Sequence, residues 1–164
     1  MIRPQPLPDA SLLRACTGAG HYADCYAADL PHAVSHAQYV EAFYTTWLFK
    51  LERWILGWAV ARPSTDAQAR QLAAGTLDAF AAWSVEQRAP DQLLLRDMFG
   101  RTRSWLMVEP LPAGGTRLYF GSAVVPRTDP RSGQRRLGPV FGSLLGFHQH
   151  YSRALLIAAL RALP

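Results

Sequence analysis

The stretch "AAWSVEQRAPDQLLLRDMFGRTRSWLMVEPLPAGGTRLYFGSAVVP", Ala81 to Pro126, decides the fold. Turn formers divide it at Ala89-Pro90-Asp91, at Phe99-Gly100 and at Pro110–Gly115. Between the turns, side-chain character alternates with the two-residue period of a strand. The pattern predicts four strands, near Ala81–Arg88, Gln92–Met98, Arg101–Glu109 and Thr116–Val125, joined as an antiparallel meander. In the third strand Trp105, Met107 and Glu109 point one way, and Ser104, Leu106 and Val108 the other. In the fourth, Leu118, Phe120 and Ser122 face opposite Tyr119, Gly121 and Ala123. Both faces carry apolar residues, so the sheet is expected to be covered on one side and only partly wet on the other.

Upstream, "HYADCYAADLP", His21 to Pro31, reads as a fifth strand closed by Pro31. Ser35 and Gln38 then have the spacing of a capping box. Behind them Val40, Phe43, Tyr44, Trp47, Leu48, Leu51, Trp54, Ile55 and Trp58 recur at steps of three and four, which predicts one amphipathic helix of about 20 residues. Gly57 and Pro63 mark its end. Phe49 falls off this stripe, which leaves room for a second, exposed apolar patch suited to a dimer contact or a gate. Thr65 and Gln68 repeat the capping-box spacing and open a second helix, with Ala69, Leu72, Ala73 and Leu77 as its stripe and Phe80 as its outer limit. Downstream of the meander, "PRTDPRSGQRRLGP", Pro126 to Pro139, sets Arg127, Arg131, Arg135 and Arg136 against Asp129 alone. Its ordinary reading is a solvated loop. The sharper one is an anion site for phosphate, carboxylate or a lipid head group. A last helix follows from Pro139 to Leu163, with proline suited to the first turn.

The chain has 164 residues, which fits one domain of residues 21–164 behind an extended lead-in of residues 1–20. Seventeen basic residues, all but one arginine, against 12 acidic ones give a net charge of +5. That charge permits contact with nucleic acid or anionic lipid without demanding it. No helix-turn-helix or RNP-like pattern is present, and the arginines lack interleaved aromatics, so no nucleic-acid partner is expected. The richest apolar run, "WLFKLERWILGWAVA", is broken by Lys50, Glu52 and Arg53, so no membrane span is expected. "MIRPQPLPDAS" has no apolar core of a signal peptide, which makes the cytoplasm the expected location. Cys16 and Cys25 form neither a CxxC motif nor a zinc set and read as plain thiols. No GxGxxG or P-loop occurs, so no nucleotide cofactor is expected. Glu86, Asp97 and Glu109 lie on or near strands. Paired carboxylates could carry acid–base chemistry, although strand charges ordinarily face solvent.

The last helix holds the candidate site. "GFHQHYSRALL", Gly146 to Leu156, places five polar-tipped residues in an otherwise apolar segment. At about 100° per residue, His148 shares a face with Phe141, Leu144, Leu155 and Ala159, and Tyr151 and Ser152 flank it. His150, Arg153, Ile157 and Arg161 fall on the other side. His148 and His150 therefore cannot share a metal, and no metal site is expected. His148 and Ser152 are four apart, so the ordinary reading is a satisfied core pair. The functional reading is a pocket in which His148, Tyr151 and Ser152 orient the polar group of an apolar ligand.

"HYADCYAADLP" leading into a long aromatic helix, "GRTRSWLMVEP", "GTRLYFGSAVV" and the closing "LLGFHQHYSRALL" together resemble the START and polyketide-cyclase-like (SRPBCC) superfamily. More narrowly, they resemble an uncharacterised bacterial family placed within it. The resemblance covers residues 20–163 and implies an α+β, helix-grip-like fold. In this chain that means an antiparallel sheet of about five strands packed on a long C-terminal helix, with two helices between the first and second strands; helix-grip proteins usually carry six or seven strands, so the five read here depart from the pattern and suit a small cavity or none. It implies a small apolar or amphipathic ligand between sheet and helix, lined by His148, Tyr151, Ser152, Trp105 and Phe120. Two alternatives stand beside it. One is a cyclase- or hydratase-type enzyme using His148. The other is a protein-interaction module, or a homodimer, working through the aromatic first helix.

Overall fold

The computed structural model describes residues 1–17, 21–51, 54, 63–128, 135–136 and 139–163, with the backbone alone described between 127 and 149. Seven strands form one antiparallel sheet: β1 (Arg3–Pro4), β2 (Tyr22–Leu30), β3 (Ala79–Phe80), β4 (Trp83–Ala89), β5 (Gln92–Asp97), β6 (Thr102–Pro110) and β7 (Thr116–Val124). Their order across the sheet is β1-β2-β7-β6-β5-β4-β3. Among the described residues the helices with defined bounds are α1 (His36–Thr45), α2 (Asp66–Ala73) and α3 (Pro139–Ala162), and a 3-10 turn spans Leu12–Cys16. Two further strands, β8 (Arg127–Thr128) and β9 (Arg135–Arg136), pair with each other where a plain loop is expected.

The sheet has seven strands and not the expected five. The additional two, β1 and β3, are two-residue edge strands. A two-residue strand is too short to show alternation, so sequence period cannot find it. The meander strands and β2 lie where their periods and turns place them. Gly115 explains one of those turns: its φ is +90°, and a Cβ there would stand 2.2 Å from the Leu30 carbonyl oxygen. Only glycine fits that position.

Both capping boxes form. Ser35 Oγ accepts from the Gln38 N–H and Gln38 Oε1 accepts from the Ser35 N–H; Thr65 and Gln68 do the same for α2. The first helix is not continuous, however. It stops at Thr46, whose backbone is extended (φ −57°, ψ 150°). The Thr46 hydroxyl donates to the Phe43 carbonyl at 3.0 Å and accepts from the Phe49 N–H at 3.2 Å, closing one helix and opening the next. Residues 47–51 are helical again. The break changes the phase, so the two sides of the expected stripe exchange places. Phe49 is buried between Tyr44 and Phe80, while Trp47, Leu51 and Trp54 are exposed. Ile55, Gly57 and Trp58 lie outside the described residues. The stripe of α2 is also shorter than expected: the helix ends at Ala73, and Phe80 belongs to β3.

The helices cover one face of the sheet, the inner face, where Tyr39, Phe43, Tyr44, Leu72, Leu106, Leu118, Phe120, Leu155 and Leu156 form the main core. The outer face carries a smaller core of Leu13, Cys25, Ala27, Leu94, Trp105, Met107, Tyr119 and Ala123. The N-terminal segment builds this second core and is more than an extended lead-in. Ser11 caps the 3-10 turn, Leu13 is fully buried, and Gln92 bolts the turn to the sheet. Gln92 Oε1 accepts from the Leu12 N–H and from Trp105 Nε1, and its Nε2 donates to the Ala10 carbonyl. The Gln5 N–H donates to the Cys25 carbonyl, so the nitrogen of Pro4 next to it, which carries no hydrogen to donate, faces outward. A proline there blocks further strand pairing on that side.

Candidate functional site

Inner-face residues cross the sheet in registered rows. Tyr26, Phe120, Leu106 and Leu93 form one apolar row along β2, β7, β6 and β5. The next row, one step nearer the β5–β6 turn, is Asp24, Ser122, Ser104 and Leu95. Three neighbouring strands thus place polar side chains side by side in an otherwise apolar layer. Directly opposed residues hold their Cβ atoms about 5 Å apart, so the three form a continuous seam.

The seam is hydrogen-bonded. Asp24 Oδ1 accepts from the Ser122 N–H at 3.2 Å and from its hydroxyl at 2.5 Å, and the Tyr22 hydroxyl donates to Asp24 Oδ2 at 3.3 Å. Tyr44, buried on α1, shares a hydrogen bond of 3.1 Å with Ser104 Oγ. Burial pushes the Tyr26 hydroxyl above its usual range, the Asp24 carboxylate adds to this, and Arg153 opposes it. Tyr26 therefore stays a neutral donor at physiological pH.

α3 packs on β2, β7 and α1. Ser152, Leu155, Leu156 and Ala159 are buried and Tyr151 is half-buried, while His150, Arg153, Ile157 and Arg161 are exposed. This is the division that the helical wheel predicts. The His148 side chain lies outside the described residues, as do the side chains of Arg127, Arg131, Arg135 and Arg136.

Phe120 lies on the inner face, its ring 4.9 Å from that of Phe43. Trp105 does not join it. Trp105 is fully buried on the outer face, against Tyr119 and bonded to Gln92, so the whole sheet separates it from Phe120 and Ser152. The alternation within β6 already sets Trp105 opposite Leu106. Phe120 and Trp105 therefore belong to different faces of paired strands and do not line one pocket.

A groove of about 670 Å³ runs along the exposed edge of β2. Tyr22, Asp24 and Tyr26, the inner-face residues of this part of β2, line it together with Pro6, Arg14 and His21. Leu7, Ala23 and Cys25, which belong to the outer core, line it as well, so the groove flanks the β2 edge between the N-terminal segment and the strand, with Asp24 among its lining residues. Arg14 is held by Asp9, and His21 Nδ1 bonds to the Cys16 carbonyl at 2.5 Å. Nothing in the sequence pattern of residues 1–17 points to this wall, because its contacts with β2 are non-local.

Neither cysteine is poised as a nucleophile. Burial pushes the Cys25 thiol up to about 12, with the Asp24 charge adding to it, and burial also raises Cys16 against the opposing pull of Arg103. The three strand carboxylates are not brought together. Glu86 pairs with Arg103, Glu109 accepts from the Tyr119 hydroxyl, and Asp97 Oδ1 accepts from the N–H groups of Arg101 and Thr102. Among the described residues no group of three His, Cys, Asp or Glu side chains could hold a metal ion, and no helix is long and apolar enough to cross a membrane. The chain matches no family model, no curated protein and no solved structure.

Proposed function

We propose that this chain is a helix-grip-like binding domain that takes a small, largely apolar molecule between the inner face of the sheet and α3. One observation carries the reading: the seam of Asp24, Ser122 and Ser104 in register across an apolar layer, with Ser152 only 1% exposed on the helix above. A fully apolar face of the same shape would stabilise the fold as well or better, because polar groups lose their water on burial. Polar groups kept there suit recognition of a ligand's polar end. The Asp24 carboxylate only accepts hydrogen bonds when ionised, so the matching ligand end is a donor such as a hydroxyl or an ammonium group.

Native mass spectrometry of the purified chain, followed by extraction, is the test. The expected result is a co-purified small molecule with an apolar body and a donor group, whose retention falls about tenfold or more in Asp24→Asn, the loss associated with one charged hydrogen bond. Protein free of any such molecule, together with a melting temperature unmoved by a panel of long-chain alcohols and amines, would refute the reading.

A further inference from the structure

Beyond ligand binding, one end of the molecule carries an apolar surface that the core does not use. Tyr39, early in α1, donates to the Tyr119 carbonyl, and Tyr44, late in α1, reaches Ser104. α1 therefore runs toward the sheet end where Tyr22, Val124 and Thr102 pair. The chain leaves α1 at that end, where Trp47 is 72% exposed, with Leu51 four residues on along the same helical face; Trp54, further along the chain, is 65% exposed. The β5–β6 turn emerges at the same end and exposes Met98 and Phe99, the latter by 70%. The Met98 N–H donates to the Ala82 carbonyl, and nearby Phe80 stacks on Phe49, which links the two protrusions through one packed layer.

The turn is held fixed. Asp97 Oδ1 accepts from the N–H groups of Arg101 and Thr102, the Gly100 N–H donates to the Asp97 carbonyl, and Gly100 has a φ of +69°. A rigid turn thus presents Phe99 to solvent, where a polar residue would serve the fold equally well. Arg96 and Arg101 flank it, both exposed and neither in an ion pair among the described residues. The β8–β9 strands, which contain Arg127, Arg135 and Arg136, follow β7 at this end, where the Val125 N–H donates to the Arg101 carbonyl.

We propose that this end docks on the surface of an anionic lipid bilayer. Tryptophan favours the headgroup layer, where its ring is half in hydrocarbon and its N–H still finds partners. Separate protrusions suit a deformable surface, whereas a protein partner needs a matching rigid shape. Unpaired arginines around an apolar tip add attraction to negative lipid, as in interfacial segments that combine both features. The same arginines disfavour a symmetric dimer through this end, which would bring like charges face to face. The proposal stands whether or not a ligand occupies the inner face.

Sedimentation with vesicles of equal parts phosphatidylglycerol and phosphatidylcholine, against phosphatidylcholine alone, tests it at low and physiological ionic strength. The expected result is partition to the anionic vesicles that weakens with salt. The Trp47→Ser/Trp54→Ser pair should lower partition by at least about tenfold, from the apolar area lost. Arg96→Gln/Arg101→Gln should lower it about fivefold per arginine and flatten the salt dependence. All four side chains are exposed, so an unchanged melting temperature verifies that each variant is folded. Absence of partition to anionic vesicles at low salt would overturn the proposal. So would partition indifferent to both pairs of substitutions, or a solution dimer that the tryptophan pair abolishes.

Discussion

On the inner face of the sheet, Phe43, Tyr44, Phe49 and Phe80 interlock at ring separations between 4.8 and 6.3 Å, in one core that α2 and α3 share. On the outer face a single 3-10 turn covers Trp105, and a buried glutamine holds the turn in place. The inner face is stabilised mainly by area removed from water, and its many contacts share any loss. The outer face depends on a few directional bonds and close approaches, so single atoms matter there. Two cores of different character on one sheet explain why an antiparallel sheet can tolerate a polar seam inside: the seam lies under the larger core, where surrounding apolar area offsets it.

The largest expected effect tests the inner face. Phe43→Ala should cost about 3–5 kcal/mol of unfolding free energy in urea titration, from lost transfer and a cavity among four rings. A loss under about 1 kcal/mol would mean the helices close over the gap and the aromatic cluster is loosely held. Next comes the outer bolt. Gln92→Ala leaves the Trp105 Nε1–H, the Leu12 N–H and the Ala10 carbonyl without their partner, and about 3 kcal/mol is expected because the buried donor loses its bond outright. Amide exchange of residues 10–16 should rise in this variant while α1 is unchanged; equal loosening of both would erase the distinction between the faces.

A smaller effect comes from the close approach beneath Leu13. A Cβ added at Gly121 would stand 2.9 Å from Leu13 Cδ2, 2.9 Å from Trp105 Cε3 and 3.0 Å from the Asp24 carbonyl oxygen. The two side chains can yield and the carbonyl cannot, so Gly121→Ala should cost about 2 kcal/mol by thermal melting. A neutral outcome would show the outer core to be underpacked.

The smallest effect is electrostatic. Arg117 donates twice to Asp29, at 2.6 and 3.0 Å, Arg3 donates once at 2.9 Å, and together they hold the Asp29 carboxyl at about 2. Its folded value is below the ordinary carboxylate value of about 3.9. The contribution is therefore complete above about pH 4 and fades as pH falls through about 2. The pair is partly exposed and screened, so about 0.5–1 kcal/mol is expected. Asp29→Asn should lose this at pH 7 and show a shallower acid limb between pH 4 and 2; parallel acid limbs would remove the ion pair from the account.

Local signals were legible where the physics is local. Each capping box needs only two residues three apart, and each meander strand shows its own alternation between strong turn formers. The wheel of α3 likewise sorted Ser152 and Leu155 inward and His150, Arg153 and Ile157 outward. The first helix shows where this stops. Its stripe runs on through Thr46 in the sequence, because a threonine inside an apolar run carries little sign of a break. Only packing decides whether its hydroxyl serves the helix before it, the helix after it, or both. The break buries Phe49 and leaves Trp47, Leu51 and Trp54 exposed, the residues on which the proposed docking end rests.

The sequence by itself determined the α+β class, the antiparallel meander, the caps and the inward turn of Ser152 on the last helix. These follow from period and from side chains bonding their own backbone neighbours. Tertiary structure alone decided the rest. It set Asp24, Ser122 and Ser104 in one row, since register depends on strands nearly a hundred residues apart in the chain. It put Trp105 and Phe120 on opposite faces, and it made the N-terminal segment the lid of a second core. Such placements arise from cross-strand pairing and burial, which are properties of the assembled sheet and leave no mark on any single segment.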